Sequence, residues 1–217
     1  MSKINVELPD GSVLEYEEAK TVKEVAFSIG TGLGKDAIGG IVDGKEVDAD
    51  YLIEDDVKLN IITIDSEKGL DIYRHTSSHI MAHAVLRLYP DAKLAIGQTI
   101  EDGFYYDIDM EKGLSPDDLE EIEAEMEKII EEDLEIKREE VPKEEALKKM
   151  KEEGERYKAE LIEEVKDDYV SFYKQGDFTD LCRGPHLPST GWLNKDGIKL
   201  LNTAGAYWRG DENNKML

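Results

Sequence analysis

Residues 4–16, INVELPDGSVLEY, form two short runs of alternating apolar and polar side chains on either side of Pro9-Asp10-Gly11. Alternation with a period of two is typical of a half-buried β-strand, and a Pro-Asp-Gly stretch between two such runs favours a tight turn. The stretch therefore predicts a β-hairpin, and a sheet built outward from that hairpin decides the fold of this part of the chain.

The residues that follow predict the remainder of a small domain. Thr21 and Glu24 have capping-box spacing at the start of a helix that Gly30 would end. A second hairpin is predicted around Asp43-Gly44, and a last alternating run would close the sheet. Two hairpins, a helix and a closing strand predict a β-grasp, ubiquitin-like domain over residues 1–63. This part has no His or Cys, and nothing in it indicates catalysis.

The rest of the chain, residues 64–217, predicts an α+β domain with an antiparallel sheet and long helices. A polar linker, DSEKG at 65–69, precedes a helix that Asp71 would cap and that would run to about Tyr89, before Pro90. The other predicted elements are strands at 93–100 and 103–109, a helix capped by Ser115, a helix between Pro142 and Gly154, and strand-like segments at 169–182 and 197–208, GIKLLNTAGAYW.

Composition limits the classes of protein that this chain can represent. It has 217 residues, 40% of them apolar, and no apolar run near the ~20 residues of a membrane helix. Its single cysteine cannot form an internal disulfide, which fits a reducing cytoplasm. The net charge of −24 argues against nucleic acid, but residues 111–168 hold 24 acids against 11 bases. Residues 169–217 hold 5 acids and 6 bases, so a polyanionic partner is permitted there.

Chemically active side chains are concentrated in two short segments. HTSSHIMAH, residues 75–83, holds three of the four histidines. On a helix, His75 and His79 share a face, whereas His83 is rotated by ~80° from His75. We therefore predict that His83 lies outside any site and packs in the interior.

The second segment is DLCRGPH, residues 180–186, which holds the fourth histidine and the only cysteine. Cys182 and His186 have the same four-residue spacing as the first pair, but Gly184-Pro185 forbids a continuous helix. The pair is predicted on a loop after a strand.

The His-x3-His pair of His75 and His79 and the Cys-x3-His pair of Cys182 and His186 suit three kinds of chemistry. Tetrahedral zinc accepts such ligands. Imidazole also serves metal-free acid–base catalysis near neutral pH, and a Cys paired with His can act as a nucleophile. Residue types and spacing leave these alternatives open.

Five segments in order, HTSSHIMAHAV, IGQTIEDGFYYDID, GERYK, DLCRGPHLPSTG and AGAYWRGD, together resemble the N-terminal half of bacterial threonyl-tRNA synthetases. The resemblance covers essentially the whole chain. It implies a TGS β-grasp domain followed by an editing domain of the kind shared with alanyl-tRNA synthetases. The family's synthetic core and anticodon-binding domain are expected to follow residue 217.

The activity that the resemblance implies is proofreading hydrolysis of seryl-tRNA(Thr). Serine lacks one methyl of threonine, which is worth only ~1–3 kcal/mol in a binding pocket, so a second, hydrolytic sieve is needed. The whole enzyme would join threonine to tRNA(Thr). The alternatives are a zinc-dependent aminoacyl-tRNA hydrolase and a non-catalytic RNA-binding or regulatory fragment.

The resemblance also implies which residues form the site. Its catalytic residues would be His75, His79, Lys158, Cys182 and His186, and its substrate-binding residues Tyr106, Asp180, Arg183 and Gly97. His75 would activate or position water, and Lys158 would help it. From the residues alone, Lys158 could instead be a solvent-exposed lysine, Tyr106 a core aromatic and Asp180 a turn cap. Arg183 would meet either a phosphate or a carboxylate.

No cofactor is expected for editing. The alternative is a zinc ion held by the four residues His75, His79, Cys182 and His186. ATP and the zinc of the synthetic core would belong to the domain expected after residue 217. The expected partners are the 3′ end of tRNA(Thr) carrying serine and the rest of the synthetase, with no membrane. The full-length enzyme is expected to be a cytoplasmic homodimer.

Overall fold

The computed structural model describes residues 3–217, so Met1 and Ser2, at the start of the predicted first domain, lie outside the described residues. By its internal contacts the chain forms two compact units. The first runs to Tyr73 and includes Gly184–Pro188, and the second comprises Arg74–Arg183 and Ser189–Leu217. The domain boundary after residue 63 stays a prediction.

The first unit is a mixed sheet with two short helices. Its strands are β1 (Ile4–Glu7), β2 (Val13–Tyr16), β3 (Lys20–Thr21), β4 (Ala37–Val42), β5 (Lys45–Asp48), β6 (Leu52–Ile53) and β7 (Val57–Thr63), and its helices are α1 (Val22–Ile29) and α2 (Thr31–Asp36). Five strands lie in the order β2-β1-β7-β4-β5, with β1 and β7 parallel at the centre. Val22 and Val25 of α1 pack with Val6 and Leu59 of the sheet. The β-grasp prediction is confirmed.

Local interactions explain why this sequence makes these elements. In the first hairpin, the Ser12 N–H donates to the Asp10 carboxylate at 2.9 Å, and Gly11 has a φ of +83° that favours glycine. At α1, the Glu24 N–H donates to Thr21 Oγ1 and the Thr21 N–H donates to the Glu24 carboxylate. The predicted capping box is therefore confirmed, and so is the helix end before Gly30.

The second unit contains four more helices, five more strands and irregular segments. Its strands are β8 (Lys93–Ile100), β9 (Gly103–Asp109), β10 (Ile136–Pro142), β11 (Tyr169–Gln175) and β12 (Phe178–Leu181), and its helices are α3 (Glu67–Leu88, of which residues 74–88 belong here), α4 (Pro116–Glu131), α5 (Lys143–Glu152) and α6 (Arg156–Glu164). β8 and β9 form an antiparallel hairpin, and β10-β11-β12 an antiparallel sheet. The predicted α+β class is confirmed.

Two sequence expectations for this part were wrong. The helix α3 begins at Glu67 and not after Asp71, because Ser66 Oγ accepts the Gly69 N–H at 3.0 Å and caps it earlier, within the supposed linker. The segment 197–208 forms no extended strand among the described residues. Its backbone is held by side chains, such as the Glu123 carboxylate that accepts the Leu200 N–H at 2.6 Å.

The second unit has several small apolar clusters. Met150 of α5 and Ile162 of α6 pack against Val170 and Phe172 of β11. Other clusters join α3 to β8 and β12, and α6 to the chain near Trp208. Strand β10 and helix α6 were not predicted from sequence, yet α6 carries Lys158. These clusters hold α3, β9, α6 and β12 together, and the candidate site lies on these four elements.

Candidate active site

The two histidines of the first motif lie one turn apart on α3, as predicted. The ring centroids of His75 and His79 are 5.3 Å apart, with the ring planes at 84°. Cys182 follows β12, where its N–H donates to the Ser171 carbonyl at 3.0 Å. This placement brings Cys182 Sγ to 3.2 Å from His75 Nε2. The helix and the loop after the strand thus bring both motifs to one place in this unit.

His75, His79 and Cys182 could hold a metal ion, because their side-chain donor atoms lie within 4.8 Å of one another. Two imidazole nitrogens and one thiolate are ligands that zinc accepts. The chemistry of this donor set therefore fits zinc, although other N/S-seeking ions would also suit it.

A buried polar cluster adjoins these residues. The Lys158 ammonium on α6 lies 2.5 Å from Asp180 Oδ1 on β12 and donates to Tyr106 Oη on β9 at 2.9 Å. Tyr106 in turn donates its hydroxyl proton to Asp180 Oδ2. His79 Nε2 lies 3.8 Å from the same carboxylate oxygen. Lys158 is 5% exposed and Asp180 3% exposed, so the cluster is almost dry.

Burial and neighbouring charge together set the protonation states of this cluster. Burial opposes ionisation of Asp180, but the Lys158 ammonium and the hydrogen bonds from Lys158 and Tyr106 outweigh it and hold the pKa of Asp180 below its usual range. Burial, followed by the charge of Asp180, raises the pKa of Tyr106 well above its ordinary value. At neutral pH Asp180 is therefore a carboxylate and Tyr106 a neutral phenol.

His79 is neutral at physiological pH. Its burial lowers the pKa to about 3, and the nearby Asp180 charge offsets only part of that effect. A neutral imidazole can orient a water or a substrate hydroxyl through hydrogen bonds. It cannot contribute a positive charge to the site.

The contacts of Asp180 and Lys158 exclude the structural alternatives that sequence left open for them, whereas Tyr106 also packs against an apolar core cluster. Lys158 is buried and not a solvent-exposed lysine, and Asp180 accepts from side chains and does not cap a turn. Gly97 lies opposite Tyr106 in the β8–β9 hairpin. A Cβ on Gly97 would lie 2.5 Å from Tyr106 Cδ2, so glycine makes room for the tyrosine ring.

Arg183 and His186 are the two other residues predicted for the site. Arg183 is exposed. His186 belongs to the five-residue stretch counted with the first unit, where its N–H donates to Asp48 Oδ1 at 2.9 Å. The roles predicted for Arg183, His186 and Gly97 stay predictions.

His83 packs in the interior, as its rotation on the helix predicted. It is 2% exposed and stacks on Phe178 with the ring centroids 5.1 Å apart. His83 Nδ1 lies 3.2 Å from the Gln175 amide nitrogen, and His83 Nε2 lies 2.9 Å from Asp177 Oδ1 and 3.1 Å from Arg87 Nε. Sequence reasoning missed Gln175 and Asp177 because the hairpin that carries them is more than 90 residues away.

Two segments of the chain match known domain families. The TGS domain family matches residues 4–63, and the family described as threonyl and alanyl tRNA synthetase second additional domain matches residues 170–217. The chain therefore contains a TGS domain and a tRNA synthetase second additional domain, which is an editing domain.

The individual proteins that the chain resembles are threonine–tRNA ligases of bacteria. Over 99% of its length the chain is 56% identical to threonine–tRNA ligase of Clostridioides difficile and 57% identical to that of Acetivibrio thermocellus. It is 54% identical over 98% of its length to threonine–tRNA ligase of Caldanaerobacter subterraneus. The chain spans about a third of the length of these relatives. The resemblance predicted from the five motifs, to the N-terminal region of bacterial threonine–tRNA ligases, is confirmed.

Among residues 3–217, no helix combines the length and the apolar character needed to cross a membrane.

Proposed function

We propose that the chain proofreads threonyl-tRNA synthesis by hydrolysing the ester of seryl-tRNA(Thr). The observation that carries the proposal is the buried Lys158–Asp180–Tyr106 cluster beside His79 and the Cys182–His75 contact. A lysine and an aspartate buried together are costly to fold, and groups of this kind concentrate at functional sites. The match to an editing-domain family gives that site a reaction class.

In the proposed reaction, a water oxygen attacks the carbonyl carbon that links serine to the terminal ribose. The bond from that carbon to the ribose oxygen then breaks, and the products are serine and tRNA(Thr). His75 takes a proton from the attacking water through its ring and returns a proton to the departing ribose oxygen. One general base suffices, because the proton that His75 takes from water is the proton that the departing ribose oxygen needs.

Lys158 stabilises the negative charge that develops on the carbonyl oxygen. Its ammonium has three N–H donors, of which Asp180 and Tyr106 take two. The third is left for the oxyanion, in a dry site where such a donor is most effective. Asp180 holds the ammonium in place, and the neutral His79 orients water or the serine hydroxyl.

Selection between serine and threonine is the purpose of such a second site. A pocket that needs the serine hydroxyl and has no room for the extra methyl would hydrolyse the mischarged tRNA and spare the correct one. We propose that the substrate is recognised as an acylated 3′ end of tRNA(Thr).

A zinc-dependent hydrolase is the second candidate function, favoured by the donor atoms of His75, His79 and Cys182 within 4.8 Å. Zinc bound there would lower the pKa of a coordinated water to about 7. Lys158 and Asp180 would then act on the substrate in the same way.

Deacylation of seryl-tRNA(Thr) by the 217-residue chain tests the proposal, with His75→Ala and Cys182→Ala as site variants. His83→Gln is the matched control, because it alters a buried histidine on the same helix. We expect His75→Ala to lower the rate at least ~100-fold, as loss of a general base does, and His83→Gln to leave it nearly unchanged. Equal rates for wild type and both site variants would refute the site, and equal hydrolysis of threonyl-tRNA(Thr) would refute the sieve.

Two further measurements separate the alternatives. Metal analysis of protein purified without chelator, followed by the assay after chelation, distinguishes the zinc hydrolase: bound zinc with activity lost on chelation would support it. Binding of the acylated tRNA without turnover, at high concentration of a short acceptor mimic, would favour the RNA-binding alternative.

The whole protein is proposed to join threonine to tRNA(Thr), using ATP in a synthetic core outside residues 1–217. We propose that it works in the cytoplasm as a homodimer, with the rest of the synthetase as the partner of this region. The TGS unit is proposed to contact RNA or the remainder of the enzyme.

A further inference from the structure

A second buried cluster lies next to Lys158 but outside the proposed site. Asp109, at the end of β9, accepts the Tyr157 hydroxyl at 2.8 Å and the Arg156 guanidinium at 2.7 Å. Its other carboxylate oxygen pairs with Lys215. Asp109 and Tyr157 are 8% and 2% exposed. The proposed chemistry uses none of these groups, so their burial needs a different explanation.

This cluster joins the same two elements as the site does. Tyr106 and Asp109 belong to one strand, and Tyr157 and Lys158 are neighbours in one helix. One pair of elements therefore makes two contacts: Lys158 with Tyr106 in the site, and Tyr157 with Asp109 beside it. The Tyr157–Asp109 contact therefore sets the separation of α6 and β9 at which Lys158 meets Tyr106.

The helix that carries Lys158 needs such support. α6 has nine residues, its N-cap Glu155 makes no side-chain cap, and its first turn contains no acid. A helix this short is marginal alone, and the cation of Lys158 in its first turn opposes the helix dipole. Local sequence therefore does not fix the orientation of Lys158.

The segment around Trp208 supplies the rest of the support. The Trp208 ring meets Tyr157 edge-on with the centroids 5.0 Å apart, and its Nε1–H donates to Glu160 on α6 at 2.9 Å. Arg209 pairs with Glu164, one turn further along α6. Trp208 is itself 6% exposed. These contacts run along α6 from its first turn to its last.

We propose that Asp109, Tyr157 and Trp208 are positioning residues that hold α6 against β9 and so set the Lys158 ammonium between Tyr106 and Asp180. They touch no reacting atom. The effect on catalysis rests on the proposed function, whereas the effect on Lys158 does not.

Two conservative variants test the inference, each made in the 217-residue chain. Tyr157→Phe removes only the hydroxyl that meets Asp109, and Trp208→Phe removes the Nε1–H and part of the ring. Tyr89→Phe is the matched control, because it breaks another tyrosine–aspartate hydrogen bond, to Asp118 at 2.9 Å, and neither residue belongs to α6 or β9. Thermal unfolding of all three shows that each variant is folded at the assay temperature.

The first readout is nuclear magnetic resonance of ¹⁵N-labelled lysine side chains, which measures hydrogen exchange of the Lys158 ammonium without any substrate. Lys158→Arg assigns the signal by removing it. We expect slow exchange in wild type and in Tyr89→Phe, and exchange faster by about tenfold or more in the two test variants, as a local opening would give. Wild-type rates in both test variants, or no slow signal in wild type, would overturn the inference.

The second readout is deacylation of seryl-tRNA(Thr), with kcat separated from KM. In Tyr157→Phe and Trp208→Phe, a displaced Lys158 should lower kcat by about tenfold and leave KM within about twofold. Small displacements of a catalytic group act mainly on the chemical step. Unchanged kcat alongside faster ammonium exchange would overturn the catalytic half of the inference. If wild type itself fails to hydrolyse the substrate, the proposed function is wrong and ammonium exchange alone decides the positioning role.

Discussion

His79 couples the stability of the protein to pH, because it is a buried imidazole that stays neutral when folded. Its pKa falls to about 3 through burial, whereas an unfolded histidine titrates near ~6.5. Between these values the unfolded chain binds a proton that the folded protein does not. The free energy of unfolding therefore decreases as pH falls through that window, by about 1.4 kcal/mol per pH unit from this group.

Urea unfolding between pH 4.5 and 6.5 checks this, with wild type compared to His79→Gln. The variant keeps a neutral polar side chain next to Asp180 but cannot take up the proton, so its stability should depend less on pH. The difference between the two proteins removes the contribution of His83, whose pKa burial also lowers. Parallel curves for the two proteins would mean that His79 is not buried as described.

Gly97 makes a second prediction at the scale of one residue. Alanine there would bring Cβ to 2.5 Å from the Tyr106 ring, while Gly103 in the same hairpin has no neighbouring atom within 4 Å. We expect Gly97→Ala to displace Tyr106 from Asp180 and to cost about 1–3 kcal/mol of stability, as overpacking does. Gly103→Ala, the control, should be close to neutral. Thermal unfolding of both variants measures the difference, and equal melting temperatures would contradict it.

Side chains that interact within a few residues were predictable, and those that interact through the fold were not. The capping box of Thr21 and the helix cap at Ser115 follow from local sequence and are present. The His75–His79 face follows from helical periodicity. The contact between Lys158 and Asp180 does not, because it depends on how a helix and a strand pack, and no spacing in the chain encodes that. Only the resemblance to a family named these two residues.

At the scale of elements, the same distinction explains the wrong predictions. α3 begins at Glu67 because Ser66 caps it, and a Cβ on Gly69 would lie 2.1 Å from the Thr63 carbonyl oxygen, so this glycine permits a close approach of backbones. A Gly-containing polar stretch read alone favours a linker. The apolar residues of segment 197–208 suggested a strand. They form no continuous strand: the Glu123 side chain takes the Leu200 N–H, and only the end of the segment pairs, through an isolated antiparallel bridge between Tyr207 and Met216.

Arg87 makes a prediction about two elements, since it ties α3 to α4. Its guanidinium donates to both carboxylate oxygens of Glu132 at 2.7 and 2.8 Å and to Glu125 at 3.2 Å. Lysine cannot reproduce this fork, so Arg87→Lys should cost about 1–2 kcal/mol. Lys195→Ala, which breaks an exposed pair with Glu131 of α4, should cost less than ~1 kcal/mol. Chemical denaturation measures the free energy of unfolding of both variants. Equal losses would show that the paired hydrogen bonds of Arg87 to Glu132 stabilise the protein no more than an exposed ion pair does.

At the scale of the whole molecule, charge limits how the proposed RNA substrate could be bound. The net charge is −24, and the acids are most concentrated in residues 111–168, where α4, α5 and α6 lie. Most of the surface therefore repels phosphate, and an acylated 3′ end would be recognised mainly by its adenosine and serine. Affinity for tRNA should then depend on few phosphate contacts, which distinguishes this region from basic RNA-binding domains.

Salt dependence of binding tests this, and it also separates the two roles left open for Arg183, which is exposed. With a seryl acceptor-stem mimic, the slope of log K against log salt should have a magnitude of about 2 or less, because each phosphate contact contributes about 0.7–0.9. If Arg183 meets a phosphate, Arg183→Ala lowers that magnitude by about one contact. Lys166→Ala, which removes an exposed positive charge from the loop after α6, serves as the control and should leave the slope unchanged. A steep wild-type slope would contradict recognition through the 3′ end, and equal slopes for wild type and Arg183→Ala would assign Arg183 to a carboxylate within the protein.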